Sequence, residues 1–108
     1  MAIKKGIYAA SMSIFNQDLS LDIESTIKHS ERLIKEGVHG AIFFGSTGCA
    51  QLISSKEKKK LIDNLNKNKL KDHFIIGTGA NALNENIELM KHSINNGINR
   101  FLLMPPAY

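Results

Sequence analysis

The feature that most constrains the fold of this chain is an alternation of short apolar runs with longer amphipathic segments. Four apolar runs occupy residues 7–14, 41–44, 74–76 and 101–104. They are nearly continuous, as strands covered on both faces of a parallel sheet tend to be. Three amphipathic segments separate them, so the element order is βαβαβαβ. This order predicts a parallel α/β sheet whose strands are joined by right-handed crossovers.

Each predicted helix carries sequence signals at its ends. The first is expected over residues 21–36 and the third over residues 84–96, where apolar side chains recur at helical spacing. The second begins with a capping-box pattern, in which Ser54 caps the helix and Glu57 reaches back to it. A glycine stops the first and the third helix, at Gly37 and Gly97.

The length of the chain bounds the architectures that fit this pattern. Its 108 residues suit one small domain. A closed (β/α)₈ barrel takes roughly 250 residues. A barrel would therefore make residues 1–108 a partial domain, truncated after the fourth strand, with about four βα units. An open doubly wound sheet fits the alternation as well, so the pattern alone leaves both architectures open.

Composition and charge exclude several classes of protein. Hydrophobic residues make up 43% and charged residues 22%, so an ordered globular chain is expected. The net charge is +4, and a lysine run at 56–60, interrupted by Glu57, is interpreted as a solvated helix face. Nucleic-acid binding would need aromatic or arginine side chains beside that run. A single cysteine, Cys49, allows no internal disulfide and fits a reduced cytoplasmic setting. No apolar run approaches the ~20 residues of a membrane helix.

The loop after the second strand is the first candidate for function, because working residues of parallel α/β folds lie at the carboxyl ends of strands. It reads Gly45, Ser46, Thr47, Gly48. Glycine lets the backbone approach a ligand, and the N–H groups and hydroxyls there can bind an anion or relay a proton. The alternative is a tight strand-to-helix turn without a ligand. The Gly-Lys-Ser/Thr end of a phosphate-binding P-loop is absent.

The loops after the third and fourth strands are weaker candidates on their own. Residues 77–81 carry a Gly-Thr-Gly sequence without the third glycine of a dinucleotide fingerprint, and close packing of loops would also explain it. Pro105 and Pro106 impose a stiff exit from the fourth strand and hold Tyr108 in a definite place. The alternative for Tyr108 is a loop tyrosine that packs by its ring.

The histidines do not predict a metal site. His29 and His92 fall within helices, while His39 and His73 precede strands, at the end opposite to the candidate loops. None has the spacing of a metal-ligand set. Cys49 lies in a candidate loop without a partner histidine, so a small buried residue is the favoured interpretation.

Taken together, the three loops resemble those of the dihydrodipicolinate synthase and N-acetylneuraminate lyase family. The resemblance runs from residue 6 to residue 108, through residues 45–48, 75–81 and 101–108 in family order and spacing. It implies a (β/α)₈ barrel with parallel strands, of which this chain is the N-terminal half. It also implies a class I lyase, in which a lysine forms a Schiff base with pyruvate or with a 2-keto acid that is cleaved. No cofactor is implied besides this covalent link.

The resemblance implies roles for particular residues. Gly45, Ser46, Thr47 and Gly48 fall on the loop that binds the substrate carboxylate. Thr47 and Tyr108 fall on hydroxyls of a catalytic proton relay, and Tyr108 would reach the neighbouring subunit's site in a homodimer or homotetramer. The Schiff-base lysine is expected beyond Tyr108, on a later strand.

Departures from the family pattern leave the substrate open. Cys49 stands where the family often has glutamate, Ala107 replaces the first tyrosine of a pair, and Met12-Ser13 replaces Thr-Pro. The resemblance admits pyruvate with an aldehyde, as in 4-hydroxy-tetrahydrodipicolinate synthase of lysine biosynthesis. It also admits a 2-keto-3-deoxy sugar acid aldolase or an N-acetylneuraminate lyase. The alternative function is a small flavodoxin-like anion-binding or regulatory domain.

Overall fold

The computed structural model describes residues 6–45, 53–78 and 83–102. The elements are β1 (Tyr8–Ala10), α1 (Ile23–Lys35), β2 (Gly40–Phe43), α2 (Ser55–Leu65), a 3₁₀ turn (Lys71–His73), β3 (Phe74–Gly77), α3 (Leu83–Asn95) and β4 (Phe101–Leu102). The predicted order of elements is confirmed. Within these ranges, no helix is long and apolar enough to cross a bilayer.

The four strands form one parallel sheet in the order β1-β2-β3-β4. Every strand therefore pairs with the next strand along the chain. A doubly wound sheet reverses its strand order at a switch point and carries helices on both faces. No reversal occurs among the described strands, so the flavodoxin-like alternative is not favoured. Consecutive neighbours with right-handed crossovers place every helix on one face, as in a barrel wall.

The hydrophobic core lies between the sheet and the three helices. Ala41 and Phe43 of β2 pair in register with Phe74 and Ile76 of β3, and all four are buried in one cluster. The Phe43 and Phe74 rings meet edge to face, with centroids 5.1 Å apart. The helices contribute five further buried side chains: Ile27, Leu61, Ile62, Leu65 and Leu89. Burying each large apolar side chain contributes about 1.5–3 kcal/mol, so this layer stabilises the sheet on its helical side.

The opposite face of the sheet lacks such a cover among the described residues. Ala10, Ile42 and Leu102 alternate in register with the core positions, and none of them belongs to the core cluster. Ala10 and Leu102 are exposed and Ile42 is half-buried, whereas Ile75, which pairs with Ile42 on this face, is buried. In a closed barrel this face would line the interior, where side chains from all strands pack together.

Self-association is the expected behaviour of the 108 residues expressed alone. Within the described sheet, β1 and β4 each pair on one side only, and the face that carries Ala10, Ile42 and Leu102 is partly open. Unpaired strand edges and apolar faces promote contacts between chains. Light scattering after size exclusion should report oligomers or aggregates. A monodisperse monomer with a cooperative melting transition would contradict this expectation.

The first strand is shorter than the predicted run at residues 7–14. Beyond Ala10 the chain forms hydrogen bonds to hydroxyl groups on α1. The Ser11 and Ser30 hydroxyls lie 2.5 Å apart, and the Ile14 N–H donates to Thr26 Oγ1 at 3.0 Å. These bonds replace sheet pairing beyond Ser11, so residues 12–14 begin the loop after β1.

The helix ends follow local capping chemistry. Ser54 accepts the Glu57 N–H as predicted, at 3.2 Å. Asp22 caps α1 by accepting the Ser25 N–H at 3.0 Å, so α1 begins two residues later than expected. The two glycine stops are confirmed by their left-handed backbone, with φ of 119° at Gly37 and 87° at Gly97.

Candidate functional site at the carboxyl edge of the sheet

The carboxyl ends of β2 and β3 lie unusually close together. A Cβ atom built on Gly77 would lie 2.5 Å from the carbonyl oxygen of Phe44, so only glycine fits there. Gly45 is also buried, but a Cβ atom there would meet nothing nearer than Leu102 Cδ2 at 3.9 Å. Gly77 thus sets the spacing of the two strand ends at the predicted functional edge.

Phe44 turns the chain out of β2 through a left-handed backbone, with φ of 61°. Such a conformation costs a bulky residue about 1–3 kcal/mol, and it persists where packing enforces it. The Phe44 side chain is fully buried, and its ring centroid lies 6.1 Å from that of Phe43. Packing of the Phe44 ring therefore fixes the direction in which the chain enters the loop that begins at Gly45.

Most of the predicted site lies outside the described residues. Gly45 is described, whereas Ser46, Thr47, Gly48 and Cys49 are not. Tyr108 and residues 79–81 also lie outside them. The roles predicted for these side chains stay predictions, and the described geometry concerns the scaffold that carries them.

Glu57 links α2 to the loop after β1. One carboxylate oxygen, Oε1, accepts the Ser54 hydroxyl at 3.4 Å, so Glu57 does reach back to the capping residue. The other oxygen, Oε2, accepts the Leu21 N–H at 2.6 Å. This second bond was not predicted, because it joins residues far apart in sequence. It ties the first turn of α2 to the neighbouring loop at the carboxyl edge.

Lys58 contradicts the interpretation of the lysine run as a solvated face. Its side chain is 2% exposed, although Lys56 and Lys60 are exposed as expected. The ammonium donates to the Thr78 carbonyl at 3.2 Å and lies 5.8 Å from the centroid of the Phe44 ring. The sequence did contain a signal, since Lys58 shares helical spacing with the buried residues Leu61, Ile62 and Leu65.

The surroundings of Lys58 disfavour its charge. Burial lowers the pKa of the Lys58 ammonium, and the carboxylate of Glu85 on α3 partly opposes that shift. Lys58 takes part in none of the salt bridges found between described residues. The hydroxyl of Thr78 is buried beside it, without a hydrogen-bond partner in the described part of the chain. A desolvated amine therefore lies at the carboxyl end of β3, next to a hydroxyl that has no partner among the described residues.

The histidines lie away from this edge, as predicted. His39 Nδ1 accepts the Ile7 N–H at 3.0 Å, and the Nδ1 atom of His73 lies 2.9 Å from the His39 carbonyl oxygen. Both residues precede strands and join backbone segments there. His92 contacts Asp63 at 2.6 Å, between α3 and α2. These contacts give each of the three histidines a structural partner.

The sequence model of the dihydrodipicolinate synthetase family matches residues 3–108. The 4-hydroxy-tetrahydrodipicolinate synthase of Methanothrix thermoacetophila is 32% identical over 96% of this chain and 35% of its own length. The chain thus spans about a third of the curated relatives it matches.

Solved structures agree with the sequence matches. The 2-keto 3-deoxygluconate aldolase of Picrophilus torridus superposes with a TM-score of 0.86 at 30% identity, over 98% of this chain and 38% of that one. A prophage protein of the dihydrodipicolinic acid synthase family from E. coli K12, solved with pyruvate, gives 0.83 at 30% identity, over 99% and 36%. The four strands are the N-terminal half of a (β/α)₈ barrel.

Proposed function

Since the chain belongs to the dihydrodipicolinate synthetase family, we propose that it forms the first part of a Schiff-base lyase site for pyruvate. The enzyme would join pyruvate to an aldehyde or cleave a 2-keto acid. The observation that carries this proposal is the parallel sheet in which β2, β3 and β4 are neighbours, since each of the three motif sequences directly follows one of these strands in the chain. The strands are parallel, so their carboxyl ends share one edge of the sheet, where working residues of such folds lie.

The relatives support the substrate class. One matched structure contains pyruvate, another is a 2-keto 3-deoxygluconate aldolase, and a curated relative is a 4-hydroxy-tetrahydrodipicolinate synthase. These activities share a 2-keto acid and differ in the aldehyde portion. We propose a pyruvate-handling lyase or aldolase, working in the cytoplasm as a homodimer or homotetramer.

The proposed chemistry divides between this chain and the rest of the barrel. A lysine amine outside residues 1–108 attacks the keto carbon of pyruvate, a C–N bond forms, and the keto oxygen leaves as water. The backbone and hydroxyls of Gly45, Ser46, Thr47 and Gly48 hold the substrate carboxylate. The hydroxyls of Thr47 and Tyr108 carry protons to and from the reacting carbonyl. Lys58 is not the nucleophile, since it is almost fully buried on the helical side of the strand ends.

Borohydride trapping tests this division. Reduction with pyruvate present should fix one pyruvyl group on a full-length protein that carries this chain, at a lysine outside residues 1–108. The 108 residues alone should gain none, because they lack the proposed nucleophile. Peptide mass spectrometry locates the adduct, and reduction without pyruvate is the control. Failure of the full-length protein to form an adduct would refute the Schiff-base proposal, and a stable adduct on this chain would refute the placement of the lysine.

The aldehyde portion is tested by direct comparison of substrates. Full-length protein is assayed for condensation to the lysine-pathway product, and for pyruvate release from a 2-keto-3-deoxy sugar acid and from N-acetylneuraminate. The substrate with the largest kcat/KM identifies the preferred substrate class, because an enzyme discriminates between substrates by the ratio of their kcat/KM values.

A further inference from the structure

Two consecutive residues at the start of α2 bind the segments on opposite sides of β2. Glu57 binds the Leu21 N–H in the loop after β1, and Lys58 binds the Thr78 carbonyl at the end of β3. The first turns of α2 therefore connect the strand-end segments on both sides of β2.

Lys58 also contacts Phe44, the residue directly before Gly45. Its ammonium lies over the Phe44 ring, within the ~6 Å at which a cation is attracted to the face of an aromatic ring. One side chain thus joins the exit of β2 to the exit of β3. The same two strand ends approach each other at Gly77 and Phe44.

Stability alone does not explain a charged group at this position. Removing an ammonium from water is costly, and one carbonyl with one ring face offsets only part of that cost. Methionine has a similar length, is unbranched and fills irregular core space without desolvation of a charge. Replacing buried charges with apolar side chains of similar volume is often neutral or stabilising.

We propose that Lys58 is a positioning residue, whose ammonium holds together the ends of β2 and β3, and that this spacing of the strand ends is needed to bind the substrate carboxylate. This inference rests on the proposed function of residues 45–48. The cation–ring attraction to Phe44 and the charge-assisted bond to Thr78 both require a cationic donor. A displacement of about 1 Å in a binding site can cost up to about 10² in rate, so a contact that sets the spacing of the strand ends affects turnover.

The test compares three variants of the full-length protein. Lys58→Met removes the charge and keeps the length, Lys58→Arg keeps a cationic donor, and Lys60→Met makes the same change at an exposed position two residues away. The measurements are the melting temperature, amide hydrogen exchange of residues 74–78, and pyruvate kinetics. The Thr78 N–H donates to the Leu102 carbonyl at 3.1 Å, so its exchange reports on the end of β3.

Stability and activity should move in opposite directions in Lys58→Met. We expect an unchanged or higher melting temperature, faster exchange in residues 74–78, and a kcat/KM for pyruvate lower by about tenfold to a hundredfold. Lys58→Arg should restore slow exchange and most of the activity, and Lys60→Met should match wild type. If the arginine variant fails to fold, the comparison of the two methionine variants still decides.

Two results would overturn the inference without touching the proposed function. Unchanged exchange in residues 74–78 of Lys58→Met would show that the ammonium does not hold β3. Normal pyruvate kinetics in that variant would show that substrate binding does not need the spacing that these contacts set. By contrast, a wild-type protein that neither forms a pyruvyl adduct nor turns over pyruvate would overturn the proposed function itself.

Alkaline titration provides an independent check. Because burial lowers the pKa of Lys58, the folded state binds fewer protons than the unfolded state at pH values between the folded pKa and the unfolded value near 10.4. The stability of wild type relative to Lys58→Met should therefore rise with pH through this window and be lowest below it. Denaturant unfolding at several pH values measures the difference. A difference that does not change with pH would show that Lys58 is not a desolvated ammonium.

Discussion

If the full-length protein has the proposed lyase activity, Thr47→Val and Tyr108→Phe are each expected to lower its kcat by a factor of about 10² to 10⁴, the usual contribution of a general acid–base group. Valine keeps the shape of threonine and removes the hydroxyl, and phenylalanine keeps the tyrosine ring and removes the phenol. Each variant should keep the wild-type fold, since neither change removes apolar packing. Steady-state kinetics measures the loss, and circular dichroism confirms the fold.

The double variant tests whether the two hydroxyls act in one proton relay. Groups that act as a unit show non-additive losses, so Thr47→Val with Tyr108→Phe should be barely slower than the slower single variant. Losses that multiply would reject a shared relay. Near-normal kcat in Tyr108→Phe would instead show that this tyrosine packs by its ring, the alternative that the sequence left open.

Gly77→Ala is expected to destabilise the protein by about 3 kcal/mol, at the upper end of the usual cost of overpacking. The added Cβ atom would lie 2.5 Å from the Phe44 carbonyl oxygen, a backbone atom that cannot move without disturbing the end of β2. The strand ends would have to separate, so pyruvate binding should weaken as well. Denaturant unfolding measures the stability, and pyruvate KM measures the second effect.

Gly45→Ala is the matched control for stability. Its Cβ atom would meet only Leu102 Cδ2, at an ordinary contact distance of 3.9 Å. Where alanine fits the native backbone, the change from glycine stabilises by about 0.4–1 kcal/mol through the unfolded chain. Equal destabilisation by the two variants would contradict the special closeness assigned to Gly77.

The sequence predicted the elements well because their signals are local. Apolar periodicity and the Ser54 cap specified the helices, and short apolar runs specified the strands. It overestimated the length of β1. The apolar run at residues 7–14 continues past Ser11, but there the backbone bonds to a hydroxyl of α1 and no longer to β2. Neither the alternation nor its spacing distinguished a barrel wall from a doubly wound sheet. The strand order, which depends on long-range pairing, made that distinction.

The candidate site could be predicted only in part. Residues 45–48 and Tyr108 were proposed from loop sequences and a family resemblance, and their roles stay predictions. The contacts of Glu57 and Lys58 were not predicted, because each joins segments that are at least 20 residues apart in the sequence. A lysine is expected in water, and only its helical spacing with Leu61 and Leu65 indicates that Lys58 faces the core. Single-sequence patterns report periodicity, not the partner that a side chain finds across the fold.

The consecutive pairing of the strands also bears on how the chain folds as it leaves the ribosome. Ala41 pairs with Ala9, Ile75 with Ile42, and Phe101 with Ile76, so every strand finds its partner about 25 to 35 residues back. Synthesis proceeds at about 5–20 residues per second, far more slowly than such a loop closes. Each strand can therefore dock onto an existing template as soon as it emerges. The newest strand remains open on its outer edge until the next arrives, and this interval is when a nascent chain most needs a chaperone.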